Sequence, residues 1–242
     1  MGRLRLLPAA AALLTAAALP LAAAACTTGS PPAPDKAAGA RSAAPSPANP
    51  DAGLLTGTQL KGLLEPRSYF PRGYARDPAG TRDTGSGYQE PTATSVAKPK
   101  CGLLGATSWT SITGISGASF AENVYVNRVS SSEIAQEIDV YPGTASRAVM
   151  HKLGAVATAC PWYTDAQTGR RATVGEQASP RFAEGGYVIT VTDPAWRSGT
   201  TLVAARAGTA VVTVLSTDGA DNGHASAMRL ASQLMAVLQG IT

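Results

Sequence analysis

Only two histidines and three cysteines stand among the 242 residues, and aromatic side chains make up 5% of the chain. His151 and His224 are therefore the only imidazoles available as a neutral-pH base or nitrogen ligand, and no H-x-x-x-H pair exists. His151 falls off the apolar stripe of its helix and His224 stands near a helix start, where surface and capping roles account for both. No G-x-S-x-G nucleophile elbow is present, and Gly114-Ile115-Ser116-Gly117 fails on spacing. Ser95-Val96-Ala97-Lys98 has S-x-x-K spacing, yet it sits in a proline-flanked connection with neither S-D-N nor K-T-G elsewhere. Gly85-Ser86-Gly87 lacks the third glycine of a phosphate-binding loop. The stretch 218–223 is calcium-loop-like, yet Ala220 and, further on, Arg229 stand where such a loop needs oxygen ligands. These absences leave no catalytic residue, metal site or cofactor to name.

Runs of one charge are also missing. Arg170 with Arg171, and Lys98 with Lys100, are separated pairs without interleaved aromatics, so nucleic acid is not an expected partner. The chain has 20 Lys and Arg against 16 Asp and Glu, and its N-terminal segment holds two of the arginines, Arg3 and Arg5. Without that segment the formal charge is about +2, too small to name a partner.

The one long apolar run follows Arg3 and Arg5. It is broken by Pro8, Thr15 and Pro20, and it ends in Ala22 to Ala25 before Cys26, the build of a cleaved export signal rather than a membrane span. The end of this segment resembles the lipobox of bacterial lipoproteins, with Leu21 one position further out than the commonest leucine. The resemblance implies cleavage after residue 25 and a diacylglyceryl group on Cys26, hence a membrane partner through that lipid and a place on the extracytoplasmic face of the cell membrane. Residues 26–52 hold Ala, Pro, Gly, Ser and a few charges, a composition that forms no core and reads as a disordered tether of about 25 to 35 Å.

Residues 53–242 suit one domain, with no second linker inside. Thr56 and Gln59 stand in capping-box spacing, so a helix is expected over 54–64, ended by Pro66. The stretch 66–88, with its tyrosines, arginines and glycines, reads as an extended arm. Strands are expected at 120–129 and 134–141, then a helix from Thr144 or Ser146 that carries Cys160 on its buried face. Four more strands are expected at 172–177, 187–192, 201–206 and 209–215. The last two, apolar on both faces, read as a central hairpin covered by helices. An amphipathic helix, capped by Asp221 or Asn222, closes the chain. The sum is an α+β domain, an antiparallel sheet of about six strands flanked by helices.

With Cys26 lipidated, Cys101 and Cys160 are the two thiols left in an oxidising compartment, and one disulfide between them follows. C-x-x-C spacing is absent, which argues against redox work. The layout of lipobox, Pro/Ala tether, leucine-rich first helix, Cys101 followed by Trp109, and Cys160-Pro161-Trp162 at a helix end resembles the PknH-like extracellular sensor domain of actinobacteria. That family includes the outer parts of receptor kinases and free-standing lipoproteins. The resemblance implies an antiparallel sheet with helices and a ligand-binding cleft, and any signalling would pass through a protein partner.

Trp109 and Trp162 stand beside the two cysteines and read as packing groups. Tyr69, Tyr74 and Trp196 lie among arginines and glycines and are the ligand-binding candidates. The expected role is a non-enzymatic, membrane-tethered sensor or ligand-binding lipoprotein for an unidentified small molecule or envelope component. A lipid carrier would differ by a large apolar cavity. A cell-envelope hydrolase would need carboxylates such as Glu137 and Asp139, which alternate with Ile138 as on an exposed strand face.

Overall fold

The computed structural model describes residues 53–241. The expected export signal, tether and lipidated Cys26 lie outside the described residues. The domain is α+β, but with eight strands where about six were expected. In chain order they are β1 (Tyr74–Asp83), β2 (Ser119–Asn127), β3 (Ser132–Val140), β4 (Trp162–Thr164), β5 (Arg171–Ala178), β6 (Gly186–Thr192), β7 (Thr200–Ala207) and β8 (Ala210–Ser216). All neighbours pair antiparallel in one sheet of order β1-β2-β3-β8-β7-β6-β5-β4.

β7 and β8 occupy the centre because they alone are apolar on both faces, and Gly208, at φ +58°, turns one into the other. Helix α5 (His224–Gln239) lies on one face of this hairpin and buries Leu230, Leu234 and Leu238 against Val203, Val212 and Val214. Helix α1 (Gly57–Lys61) packs on the same face through Leu60. It is shorter than expected, but its capping box between Thr56 and Gln59 is formed. The opposite face is covered by α2 (Thr110–Thr113), α3 (Ala145–Leu153) and α4 (Val156–Ala159), which bring Ile112, Leu153 and Val156 onto Ile189, Leu202 and Val211.

Three expectations need correcting. The arm at 66–88 contains a ten-residue edge strand, β1, whose pairing slips between Asp77 and Arg82 around Pro78. The helix expected to run unbroken to Cys160 is two helices, divided at Gly154 and Ala155. The N-cap of α5 is Gly223, at φ +83°, because a Cβ there would stand 2.0 Å from the Ser216 carbonyl oxygen. Asp221 still serves the helix start, its Oδ2 accepting from the Ala225 amide at 2.8 Å.

Cys101 and Cys160 form the disulfide, joining a 3₁₀ turn (Cys101–Leu103) to the end of α4. Trp109 belongs to the same buried cluster. Trp162 does not share its fate: it is 48% exposed on β4, under the guanidinium of Arg171 at 4.6 Å.

Candidate functional site

Antiparallel order sends alternate loops to the same end of a sheet, and four of them meet here around a cleft of about 550 Å³. The β2–β3 turn contributes Ser130, Ser131 and Ser132. Gln167 comes from the β4–β5 turn, Thr217 from the segment after β8, and Trp196, Arg197, Ser198 and Thr200 from the β6–β7 connection. The volume suits a small ligand.

Local hydrogen bonds hold these loops in shape. Asn127 Oδ1 accepts from the amides of Val129 and Ser130, and Ser131 takes φ +60° to close the β2–β3 turn. Asp165 Oδ1 accepts from the amides of Gln167 and Thr168, which hold its carboxyl below the usual range. Asp193 accepts from Thr168 Oγ1 at 2.6 Å and from the Ala195 amide at 2.8 Å, tying the β6–β7 connection to the β4–β5 turn. Asn222 Oδ1 accepts from the Gly199 amide at 2.8 Å. Trp196, packed on the core along one side, is thereby presented to the cleft along the other.

Of the three ligand-binding candidates, the structure brings only Trp196 to this cleft. Tyr74 is 3% exposed and packs with Phe70 on the α5 face. Its hydroxyl lies beside Asp218 and Ser132, and burial first, then Asp218, raises its pKa above the usual range. Tyr69 is half-buried, edge-on to Phe70 at 5.3 Å. The serines, Gln167 and Arg197 carry no motif; topology alone assembles them.

A second feature overturns the reading of Glu137 and Asp139 as exposed. They are 2% and 7% accessible, on the sheet face covered by α2. Arg82, Glu122, Glu137 and Thr213 are successive cross-strand partners on β1, β2, β3 and β8, so they form one polar row across the sheet. Arg82 Nε contacts Glu122 Oε2 at 2.6 Å at the open end, and Trp109 Nε1 donates to Thr213 Oγ1 at 2.7 Å at the closed end. Between them the Thr107 hydroxyl meets both Glu122 Oε1, at 2.8 Å, and Glu137 Oε2. One hydroxyl has one proton to give, so two hydrogen bonds to two carboxyl groups require a proton on one of them. Burial, then the charge of Glu122, pushes Glu137 up to about 7. Burial, then Glu137, likewise raises Asp139 well above the carboxylate range. From Ser132 at the cleft, the row lies five residues along β3, about 16 Å.

A smaller hollow of about 340 Å³ lies beside α3 and α4, lined chiefly by Val96, Pro99, Ile112 and Val156 with His151 and Lys152 at its rim. Lys152 Nζ donates to the Thr113 carbonyl. Among the described residues, no three carboxyl, thiol or imidazole groups are placed to share a metal ion, and no helix is long and apolar enough to cross a membrane.

No family model and no curated protein matches the chain. Among solved structures, the chain is similar to the crystal structure of the extracellular domain of PknH from Mycobacterium tuberculosis, with 11% identity and a TM-score of 0.48 over 77% of this chain and 97% of that one. The likeness is distant and concerns the chain trace.

Proposed function

We propose that this chain is a non-enzymatic, extracytoplasmic ligand-binding lipoprotein, anchored through Cys26, whose ligand enters the cleft at Trp196. The observation that carries the reading is the cleft itself: four loops converge on one aromatic face ringed by hydroxyls, an amide and a guanidinium. Such groups bind by stacking and hydrogen bonding. The Cys101–Cys160 bridge supports an oxidising location outside the cytoplasm. The buried acids favour a structural role over hydrolysis, since they stand beneath Thr107, about 16 Å along the strand from the cleft. The apolar hollow beside α3 and α4, at about 340 Å³, is near the lower bound for a ligand pocket, which favours the cleft over a lipid carrier.

Titrating the purified protein with a muramidase digest of cell-wall material, followed by calorimetry, tests the reading. Trp196→Ala is expected to weaken binding about tenfold or more, whereas Trp162→Ala, at an exposed site outside the cleft, leaves it unchanged. Equal affinity of both variants and the parent would sink the assignment of the cleft.

A further inference from the structure

Arg197 stands in the cleft without an ion-pair partner among the described residues. Four cations elsewhere in the domain have partners: Arg82 with Glu122, Arg206 with Glu184 and Lys61 with Asp83 as ion pairs, and Arg171 over Trp162. The indole N–H of Trp196, which can only donate, has no acceptor among the described residues. The side-chain amide of Gln167 and the hydroxyl of Ser131 are likewise unengaged there.

The acids of the surrounding loops are turned to other work. Asp193 binds Thr168 and Ala195, Asp165 binds Gln167 and Thr168 through their amides, and Asp218 Oδ2 accepts from Ser226 Oγ at 3.1 Å. No carboxylate lines the cleft. Its free polar groups are therefore weighted toward donors, and the one charged group among its lining residues is the Arg197 guanidinium. A neutral polyol could accept from these donors through its oxygens but would leave that charge unanswered. An anion answers both, because a guanidinium takes a carboxylate or phosphate in a two-pronged hydrogen bond.

From this we infer that the ligand is anionic: a hydroxylated ring compound bearing a carboxylate or a phosphate, with the anion on Arg197, the ring against Trp196 and the hydroxyls among the serines. The inference rests on the cleft being the binding site, and it adds the chemical class of what binds there.

The test uses three probes on the purified protein, measured by calorimetry at low and moderate salt: trigalacturonic acid for the carboxylate, glucose 6-phosphate for the phosphate, and maltotriose as the neutral counterpart. At least one anionic probe is expected to bind, more weakly as salt rises, with maltotriose at least about tenfold weaker. Arg197→Gln is expected to cost the anionic probe about tenfold, to remove most of its advantage over maltotriose and to flatten its salt dependence. Which anionic probe binds better assigns the anion. Maltotriose binding as tightly as the anions, anion binding indifferent to Arg197→Gln, or no anionic probe binding at millimolar concentration would each overturn the inference. The cleft and the charge fail separately. Binding lost in Trp196→Ala but untouched by Arg197→Gln keeps the cleft and refutes the anion, whereas anion binding that survives both substitutions refutes the cleft.

Discussion

Exchanging both Cys101 and Cys160 for alanine is expected to remove about 4 kcal/mol from the stability of the domain, the chain-entropy value for a bridge across 59 positions. Domains of this kind have roughly 5 to 15 kcal/mol in all, so the loss takes a large share. It also has a place. The bridge pins the 3₁₀ turn at Cys101–Leu103 to the end of α4, and the chain from that turn carries Thr107 and Trp109 over the polar row. With the bridge gone, this cover is the part expected to open first, and water reaches Glu137. Urea unfolding of the parent and the double variant reads the loss, and native-state hydrogen exchange reads where it begins. A change below about 1 kcal/mol, or exchange beginning at α5 instead, would show that the bridge does not hold this cover in place.

The row of acids gives the second large effect, and its sign is unusual for carboxylates. Glu137 has its folded pKa raised from 4.5 to about 7, so the folded chain holds a proton that the unfolded chain releases. Stability from this group is complete below about pH 4.5 and falls as the pH rises toward 7, by about 3 kcal/mol for a shift of this size. Asp139 and Glu133, both raised by burial, act in the same direction. Asp83 and Asp165, both lowered, act oppositely, but below the ordinary carboxylate range. The domain is therefore expected to lose stability between about pH 4.5 and 7. Glu137→Gln, which keeps the shape and removes the charge, is expected to flatten that slope and to be the more stable protein above neutrality, by up to about 3 kcal/mol. A parent whose stability rises through this window, or a Gln variant with the parent's slope, would show that Glu137 titrates normally.

The parts of the fold legible in the sequence are those in which one segment carries its own pattern. β7 and β8 announce a buried hairpin because both faces are apolar, and the disulfide follows from counting thiols once Cys26 is set apart. β1 is hidden because Tyr74–Asp83 holds a proline, a glycine and four charges, Arg76, Asp77, Arg82 and Asp83, and its strand character comes from pairing with β2. β4 is three residues long after Pro161, too short for any periodicity.

The candidate sites divide in the same way. Alternation of Glu137, Ile138 and Asp139 describes an exposed strand face and a covered one equally well, and the cover here comes from Thr107, thirty positions earlier. Trp196 could be singled out as an aromatic in a loop. Ser131, Gln167 and Arg197 could not, because what unites them is that the β2–β3, β4–β5 and β6–β7 connections leave the sheet at one end. Tyr74 shows the converse: arginine and glycine neighbours in sequence, but an inward-facing place on an edge strand.

Whether the ligand enters the cleft at Trp196 is read most directly from a nitrogen–proton correlation spectrum of the labelled protein, recorded with and without the anionic probe that binds best. The backbone signals of Ser131, Gln167 and Arg197 and the indole signal of Trp196 are expected to shift together along one binding curve, while those of Thr107, Glu137 and Trp162 stay in place. Shifts confined to Thr107, Glu137 and their neighbours, or to the hollow beside α3 and α4, with the cleft silent, would contradict the placement of the ligand at Trp196.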